Sequence, residues 1–193
     1  MKDVNLKCNC GKVEGIASGI SPSDGTRVVC HCCDCQAFAH YLGKAEQILD
    51  QHGGTDIFQI TPSQIKITKG VEHLGSMRLT KKGLLRWHTK CCNTPVGNTL
   101  SAAMPFVGVI HNFMDDEGKR DDNLGPVRQY VMGKYAINLP AERTIADKFP
   151  LSQVLQIMAR LLLAKITGKG KPNPFFGNDG RPVSKPVIAS QES

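Results

Sequence analysis

The sequence has no cysteine after residue 92, although eight cysteines lie before that point. It also has no run of about 18 apolar residues, so it predicts no transmembrane helix and no membrane partner. The first residues, Met1 to Lys7, are charged and lack the apolar segment of a signal peptide. We therefore expect a cytoplasmic protein whose thiols stay reduced and available to metal ions.

Several common functional motifs are also missing. We find no Gly-rich phosphate loop, no H-E-x-x-H motif and no Ser/His/Asp set. The formal net charge is +7, but seven thiolates on two Zn²⁺ ions would add −7 + 4 = −3 and leave about +4. No aromatic-basic interleaving accompanies the basic residues, so a nucleic acid partner is not expected.

The cysteines that are present form three short clusters. Two cysteines one residue apart cannot easily form a disulfide with each other, but both can bind one metal ion. The spacing therefore predicts metal sites. The clusters are Cys8-Asn9-Cys10, Cys30-His31-Cys32-Cys33-Asp34-Cys35 and Cys91-Cys92.

The middle cluster predicts a zinc site with three protein ligands. Cys30, Cys32 and Cys35 can surround one Zn²⁺ and leave its fourth position open, as in reactive zinc sites. An open position lets zinc act as a Lewis acid or hold a substrate thiolate. Cys33 is expected to point away and to be buried as a small apolar residue, and His31 to lie outside the ligand set.

The first and third clusters predict a second, closed site. Cys8 and Cys10 lie on an N-terminal hairpin, where Gly11 permits a tight turn. Cys91 and Cys92 would complete a four-coordinate zinc that ties the N-terminus to the middle of the chain. A closed site of this kind contributes folding energy rather than reactivity.

The rest of the sequence predicts a mainly β fold with helical additions. A helix is expected over Ala37–Gln51, and Thr80 to Gly83 reads as a hairpin turn. Short runs rich in β-branched and aromatic residues predict the strands. These are Val4–Cys8, Lys12–Ala17, Thr26–Cys30, Ile57–Ile60, Gln64–Lys69, Met77–Thr80, Leu84–His88 and Phe106–Phe113.

The C-terminal part divides into a helix and a tail. Residues 150–168 predict an amphipathic helix with Ser152 as a cap and Gly168 as its end, packed on the zinc-binding domain of residues 1–149 or against a second copy in a homodimer. Residues 169–193 predict an extended tail that Phe175 and Phe176 attach to the body.

The order CxCG, then CHCxxC, then a late cysteine pair resembles the glutathione-dependent formaldehyde-activating enzyme and centromere protein V family over about residues 5–115. The resemblance implies an Mss4-like, zinc-stapled β fold. It makes Cys8 and Cys10 structural zinc ligands. It also makes Cys30, Cys32 and Cys35 ligands of a second, labile zinc, at which a carbon–sulfur lyase acts on the formaldehyde adduct of glutathione.

The third cluster departs from the family motif F-C-x-x-C-G-[ST]-P. Aligning Cys92-Asn93-Thr94-Pro95 with its end puts Thr89 at the first cysteine position. Either Cys91 and Cys92 both bind, or His88 and Cys91 bind with the two-residue gap. We prefer the cysteine pair, because the following Asn-Thr-Pro fixes the register.

Three functional classes remain open at this point. The first is a zinc-dependent carbon–sulfur lyase for a glutathione-type thiol adduct, with His40, placed on the opening turn of the first helix, as the proton carrier. The second is a non-catalytic zinc module that binds a thiol or a protein. The third is a basic zinc protein that associates with nucleic acid.

Overall fold

The computed structural model describes residues 1–23, 26–115, 118–139 and 145–189. Within these ranges the chain forms twelve strands and four helices, and short 3₁₀ turns join several of them. The strands are β1 (Lys2–Lys7), β2 (Glu14–Ile20), β3 (Thr26–Cys30), β4 (Thr55–Ile60), β5 (Ile65–Lys69), β6 (Leu74–Arg78), β7 (Leu85–Thr89), β8 (Pro95–Thr99), β9 (Val107–Ile110), β10 (Met114–Asp115), β11 (Gln129–Val131) and β12 (Val187–Ile188). The helices are α1 (Cys33–Tyr41), α2 (Ala45–Ile48), α3 (Arg120–Leu124) and α4 (Leu151–Ile166).

The strands form two sheets of unequal size. The smaller has the order β10-β1-β2-β5, and the larger has the order β11-β3-β4-β9-β8-β7-β6-β12. Pairing is antiparallel except where β11 joins β3 and β12 joins β6 at the two edges of the larger sheet. The predicted mainly β fold with helical additions, including a C-terminal helix, is confirmed.

The larger sheet is buried on both faces, because a separate core lies on each side. The first core contains residues of both sheets, so it fills the space between them. The second contains Phe38 and Leu42 of the α1 segment, packed with residues of β3, β4 and β6. Strand β7 serves both: Leu85 and Trp87 enter the first core, while the intervening Arg86 stacks on Phe38.

Most predicted strands are present, with ends shifted by a few residues. Thr26–Cys30 has the predicted bounds and all five residues are buried. The predicted turn is also present: the Gly83 amide donates to the Thr80 carbonyl at 3.1 Å between antiparallel β6 and β7. The predicted Phe106–Phe113 strand is shorter, because a 3₁₀ turn begins at His111.

The predicted Ala37–Gln51 helix is wrong in both length and start. The structure has two short helices, and α1 begins earlier, at Cys33. Gly43 separates them with φ = 64°, a left-handed conformation that ends a helix and that glycine adopts without strain. The apolar spacing did not reveal this break, because it continues across it. Phe38 and Leu42 before the break are buried, and Ala45 after it packs on the same core.

The C-terminal residues attach to the body through the tail more than through the helix. Phe175 and Phe176 are buried, with ring centroids 5.0 and 6.0 Å from that of Trp87. The expected attachment by these two side chains is therefore present. In α4, however, Ala164 is the one buried residue and most of the apolar stripe is exposed, so the expected burial of that stripe on the domain is not observed. Pro150, not Ser152, occupies the N-cap.

Candidate metal centres

The four-cysteine group is built from two tight turns. Cys8 and Cys10 follow the end of β1, where Gly11 adopts φ = 71° and its amide donates to the Cys8 carbonyl at 2.9 Å. Cys91 and Cys92 lie in the turn between β7 and β8. That turn is closed by the Asn93 amide, which donates to the Thr89 carbonyl at 2.9 Å.

The spacing of the four sulfur atoms fits a tetrahedral metal ion. Cys8 Sγ lies 3.6 Å from Cys10 Sγ and 3.9 Å from Cys91 Sγ. The Cys10–Cys91 and Cys91–Cys92 sulfur distances are 3.3 and 3.8 Å, and all four atoms lie within 4.8 Å of one another. A tetrahedral zinc with Zn–S bonds of about 2.3 Å separates its sulfurs by about 3.8 Å, whereas a disulfide needs about 2.05 Å. The group can therefore hold a metal ion.

The thiols of Cys91 and Cys92 differ in acidity. Burial, followed by the neighbouring Cys10 thiol, raises the pKa of Cys91 to about 12. Burial also acts against ionisation of Cys92, but the Thr89 and Thr94 hydroxyls outweigh it and lower the pKa of Cys92 to about 5. These hydroxyls lie 3.3 and 3.2 Å from Cys92 Sγ. The thiolate form of Cys92 is thus favoured before any metal binds.

His88, the alternative ligand, lies in a different environment. Its ring packs against Phe38 and Tyr41, with centroid distances of 6.4 and 6.3 Å. Burial and then the charge of Lys90 lower the pKa of His88. Among the residues that the structure describes, the ligand group at this end of the sheet contains the cysteine pair and not His88.

The three-cysteine group lies where β3 passes into α1. Cys30 is the last residue of β3, Cys32 is the N-cap of α1 and Cys35 is in its first turn. Their sulfur atoms lie within 4.8 Å of one another, so this group too can hold a metal ion. Cys30 and Cys35 are buried, whereas Cys32 is half-buried. Access to the group is therefore best beside Cys32.

A buried arginine, which the sequence analysis did not select, lies beside this group. Arg86 is 2% exposed, and its Nη1 donates to Cys35 Sγ at 3.9 Å and to Asn98 Oδ1 at 3.3 Å. Its Nη2 donates to Asp34 Oδ2 at 3.4 Å. Its guanidinium carbon stacks 5.6 Å from the centre of the Phe38 ring. A positive charge is thus held against a cluster of thiols.

The three thiols differ in acidity. Hydrogen bonds from Cys30 and then Cys35 lower the pKa of Cys32, and the charge of Arg86 acts in the same direction. The reciprocal interaction with Cys32 raises the pKa of Cys30 to about 11 and contributes, after Cys30, to raising that of Cys35. Cys32, the most accessible of the three, is therefore the first to become a thiolate.

His31 and Cys33, which lie between these cysteines in the sequence, have different environments. His31 is fully buried, with Nδ1 3.2 Å from the Val131 carbonyl and Nε2 3.8 Å from Asp50 Oδ2. It lies outside the sulfur group, as expected. Cys33 was expected to be buried, and this is wrong: it is the first residue of α1 and is exposed to solvent.

His40 lies in the last turn of α1, not in its opening turn as expected. It lies five positions after Cys35, which corresponds to about 7.5 Å along the axis and a rotation of about 140°. Its exposed side chain lines a groove with Gly43 to Gln47. Asp34, which is 55% exposed and paired with Arg86, lies closer in sequence to the cysteines.

The described part of the chain has no helix of the length and apolar content required to cross a membrane. Among solved structures, one that is similar is a Rhodobacter sphaeroides protein determined as a structural genomics target, with 19% sequence identity and a TM-score of 0.43. The match covers 64% of this chain and 96% of the other. No curated protein matches the sequence. A family model described as "Family of unknown function (DUF6151)" matches residues 1–187, and the chain therefore belongs to this family.

Proposed function

We propose that this protein binds two zinc ions and acts as a carbon–sulfur lyase on the adduct of a glutathione-type thiol with a small aldehyde. The observation that carries the proposal is the three-cysteine group, which offers one ligand fewer than a closed tetrahedral site and lies beside Arg86. The cysteine order, which resembles that of the formaldehyde-activating family, supports the same reading.

The four-cysteine group has the role of a structural site in this proposal. Its ligands come from positions 8–10 and 91–92, so one ion would close a long loop of chain. All four tetrahedral positions would be filled by protein sulfur, which leaves no place for a substrate. Its contribution is therefore to stability.

The three-cysteine group is proposed as the reactive site. Bound there, zinc would act as a Lewis acid and favour the thiolate form of a substrate sulfur. Cys30, Cys32 and Cys35 would hold the ion, and a substrate sulfur would approach it beside Cys32, the most accessible of the three. Arg86 offsets negative charge: three thiolates, Zn²⁺ and the Asp34 carboxylate would sum to −2, and the guanidinium brings the total to −1.

The lyase step needs one proton acceptor. The carbon–sulfur bond of the hydroxymethyl adduct breaks, sulfur keeps the electron pair, and the hydroxyl loses its proton as its carbon becomes the aldehyde. We assign the proton to Asp34, whose exposed carboxylate Arg86 orients at the edge of the site. His40 remains the second candidate, although it lies farther along the helix.

One observation favours a non-catalytic alternative. Cys30 and Cys35 are both buried, so a ligand can approach this group from a restricted direction. A zinc module that binds a thiol or a protein segment without chemistry would need no more access than this. The two functions differ in whether the adduct is turned over.

The test begins with metal analysis of the reduced, purified protein. We expect about two zinc ions per chain, one of which is removed by mild chelation without unfolding. Calorimetry should detect glutathione binding to the two-zinc form and none to the one-zinc form. A folded, reduced protein without zinc would contradict the whole proposal.

Turnover of hydroxymethylglutathione then separates the two functions. Asp34→Asn should reduce the rate about 10²-fold or more while glutathione still binds, whereas Asp122→Asn, an exposed carboxylate of α3, should change neither. His40→Ala measures the second candidate directly. If glutathione binds to the two-zinc form but no adduct is cleaved, the non-catalytic module is the better description.

A further inference from the structure

Helix α4 exposes its most apolar face to solvent. The exposed fractions are 74% for Leu151, 61% for Leu155 and 75% for Ile166. Val154, Met158 and Leu162 complete the same stripe, and all of them are exposed. Six large apolar side chains, spaced by about one helical turn, form a continuous patch, and soluble monomers rarely expose such a patch without a binding role.

A second face of the helix, which adjoins the stripe at Leu161, attaches it to the body. Ile157, Leu161 and Ala164 line one side of a cavity whose other side includes Thr26, Ile60 and Phe106. Arg160 Nη1 donates to Thr26 Oγ1 at 2.7 Å. At 100° per residue, Ala164 is about 160° from Leu162 around the helix axis. The domain therefore holds α4 by its narrower face and leaves the broad apolar stripe free.

The charges around the stripe have one sign. From Lys148 to Asn178 the sequence contains five basic residues and no acidic residue. Lys148, Lys165, Lys169 and Lys171 are exposed. Lys165 lies within the stripe by helical angle, between Val154 and Met158 around the axis. An apolar face that contains a lysine, on a helix flanked by further lysines, is the pattern of a helix that lies in a membrane interface.

We propose that α4 docks on a negatively charged membrane surface. The stripe enters the boundary between headgroups and acyl chains, with the helix axis parallel to the membrane plane. Lys165 extends its ammonium group to the lipid phosphates while its methylenes stay in the apolar layer. No membrane partner was expected from the sequence, because no run of about 18 apolar residues is present; a helix that lies in the membrane interface needs no such run.

A second copy of the chain fits the same face less well. Lys165 would then be buried near the middle of a protein interface, and residues 148–178 offer no carboxylate to pair with it. An antiparallel pair of α4 helices would also bring the C-terminal lysines of one copy to the positive N-terminal end of the other. A lipid surface supplies negative charge wherever these lysines lie.

The experiment is co-sedimentation of the full-length protein with vesicles. One set contains phosphatidylcholine alone, and the other contains phosphatidylcholine with phosphatidylglycerol. We expect binding to the second set that weakens with added salt, and a double variant Leu155→Glu, Leu162→Glu that loses at least tenfold in affinity. Lys165→Gln should lose about fivefold.

The control is Gln156→Glu, which adds one negative charge to the same helix outside the stripe and should retain most of the binding. Light scattering coupled to size exclusion determines the oligomeric state of each variant. Absence of binding to the anionic vesicles overturns the proposal. A dimer that the glutamate variant converts to monomers, without vesicle binding, overturns it in favour of a second copy.

Discussion

Arg86 connects the chemistry of the three-cysteine group to the core of the protein. A buried guanidinium needs compensation, and its hydrogen bonds to Asn98 and Asp34 are long, at 3.3 and 3.4 Å. The adjacent thiols supply the remaining negative charge once Cys32 ionises. Arg86 could not be selected from the sequence, because β7 and α1 are far apart in the chain and packing alone brings them together.

Replacing Arg86 therefore tests the charge balance of this group. Arg86→Met should weaken retention of the proposed labile metal and lower the free energy of unfolding by about 1–3 kcal/mol, because the buried Asn98 side-chain oxygen loses its hydrogen-bond donor. Arg86→Lys keeps the charge and should retain more metal. The measurement is zinc content after dialysis against a chelator, with Lys66→Met on the exposed side of β5 as the control. Unchanged zinc retention in Arg86→Met would remove Arg86 from the site.

His88 provides a second prediction for a single residue. Because burial lowers its pKa in the folded state, the unfolded chain binds its proton at higher pH than the fold does. The contribution of His88 to the free energy of unfolding is therefore fully present above the unfolded pKa of about 6.5. It decreases as the pH falls below that value. His88→Gln should make the melting temperature less sensitive between pH 7.5 and 5.5.

The same variant addresses metal binding. We expect His88→Gln to keep the zinc content of the wild-type protein, because its ring packs on Phe38 and Tyr41. His73→Gln, at a more exposed histidine of the loop before β6, controls for loss of a histidine. Loss of one zinc from His88→Gln alone would instead assign His88 as a ligand in place of one cysteine.

At the level of elements, the sequence correctly predicted the strands whose residue pattern matches the burial of their side chains in the fold. β3 has the predicted bounds because all of its residues are buried and two of them are valines. β8 was missed because Pro95 begins it and Gly97 lies within it, and both residues indicate turns in isolation. The stripe of α4 was identified correctly, but periodicity cannot show whether such a face meets a core, a second chain or a lipid surface.

Within the C-terminal part, loss of the tail contacts should lower the free energy of unfolding more than changes in the exposed stripe of α4. Phe175→Ala should lower the free energy of unfolding by about 3–5 kcal/mol, because its ring is fully buried against Trp87. Trp87 is the one tryptophan of the chain, so its fluorescence reports the loss directly. Leu151→Ala, at a 74% exposed position of α4, should change stability by less than about 0.5 kcal/mol. Similar effects of the two truncations would contradict the different roles of tail and helix.

For the molecule as a whole, the two cysteine groups lie in different positions relative to the sheets. The four-cysteine group joins the end of β1 in the smaller sheet to the β7–β8 turn of the larger one. The three-cysteine group lies between β3 and α1, where residues 30–35 supply all three sulfur atoms. The sequence predicted both cysteine groups from spacing, but their relation to the sheets depends on pairings between distant strands.

This difference predicts unequal effects of equivalent cysteine substitutions. Cys8→Ala should lower the melting temperature strongly, because an ion held by Cys8, Cys10, Cys91 and Cys92 links both sheets and its loss removes folding energy. Cys32→Ala removes a half-buried sulfur from a local group, so the fold should persist while the proposed labile zinc and the proposed glutathione binding are lost. Cys33→Ala is the matched control, since this neighbouring thiol is exposed and outside both groups. Thermal unfolding with zinc analysis measures all three, and equal destabilisation by Cys8→Ala and Cys32→Ala would show that the structural and reactive roles are not divided between the groups.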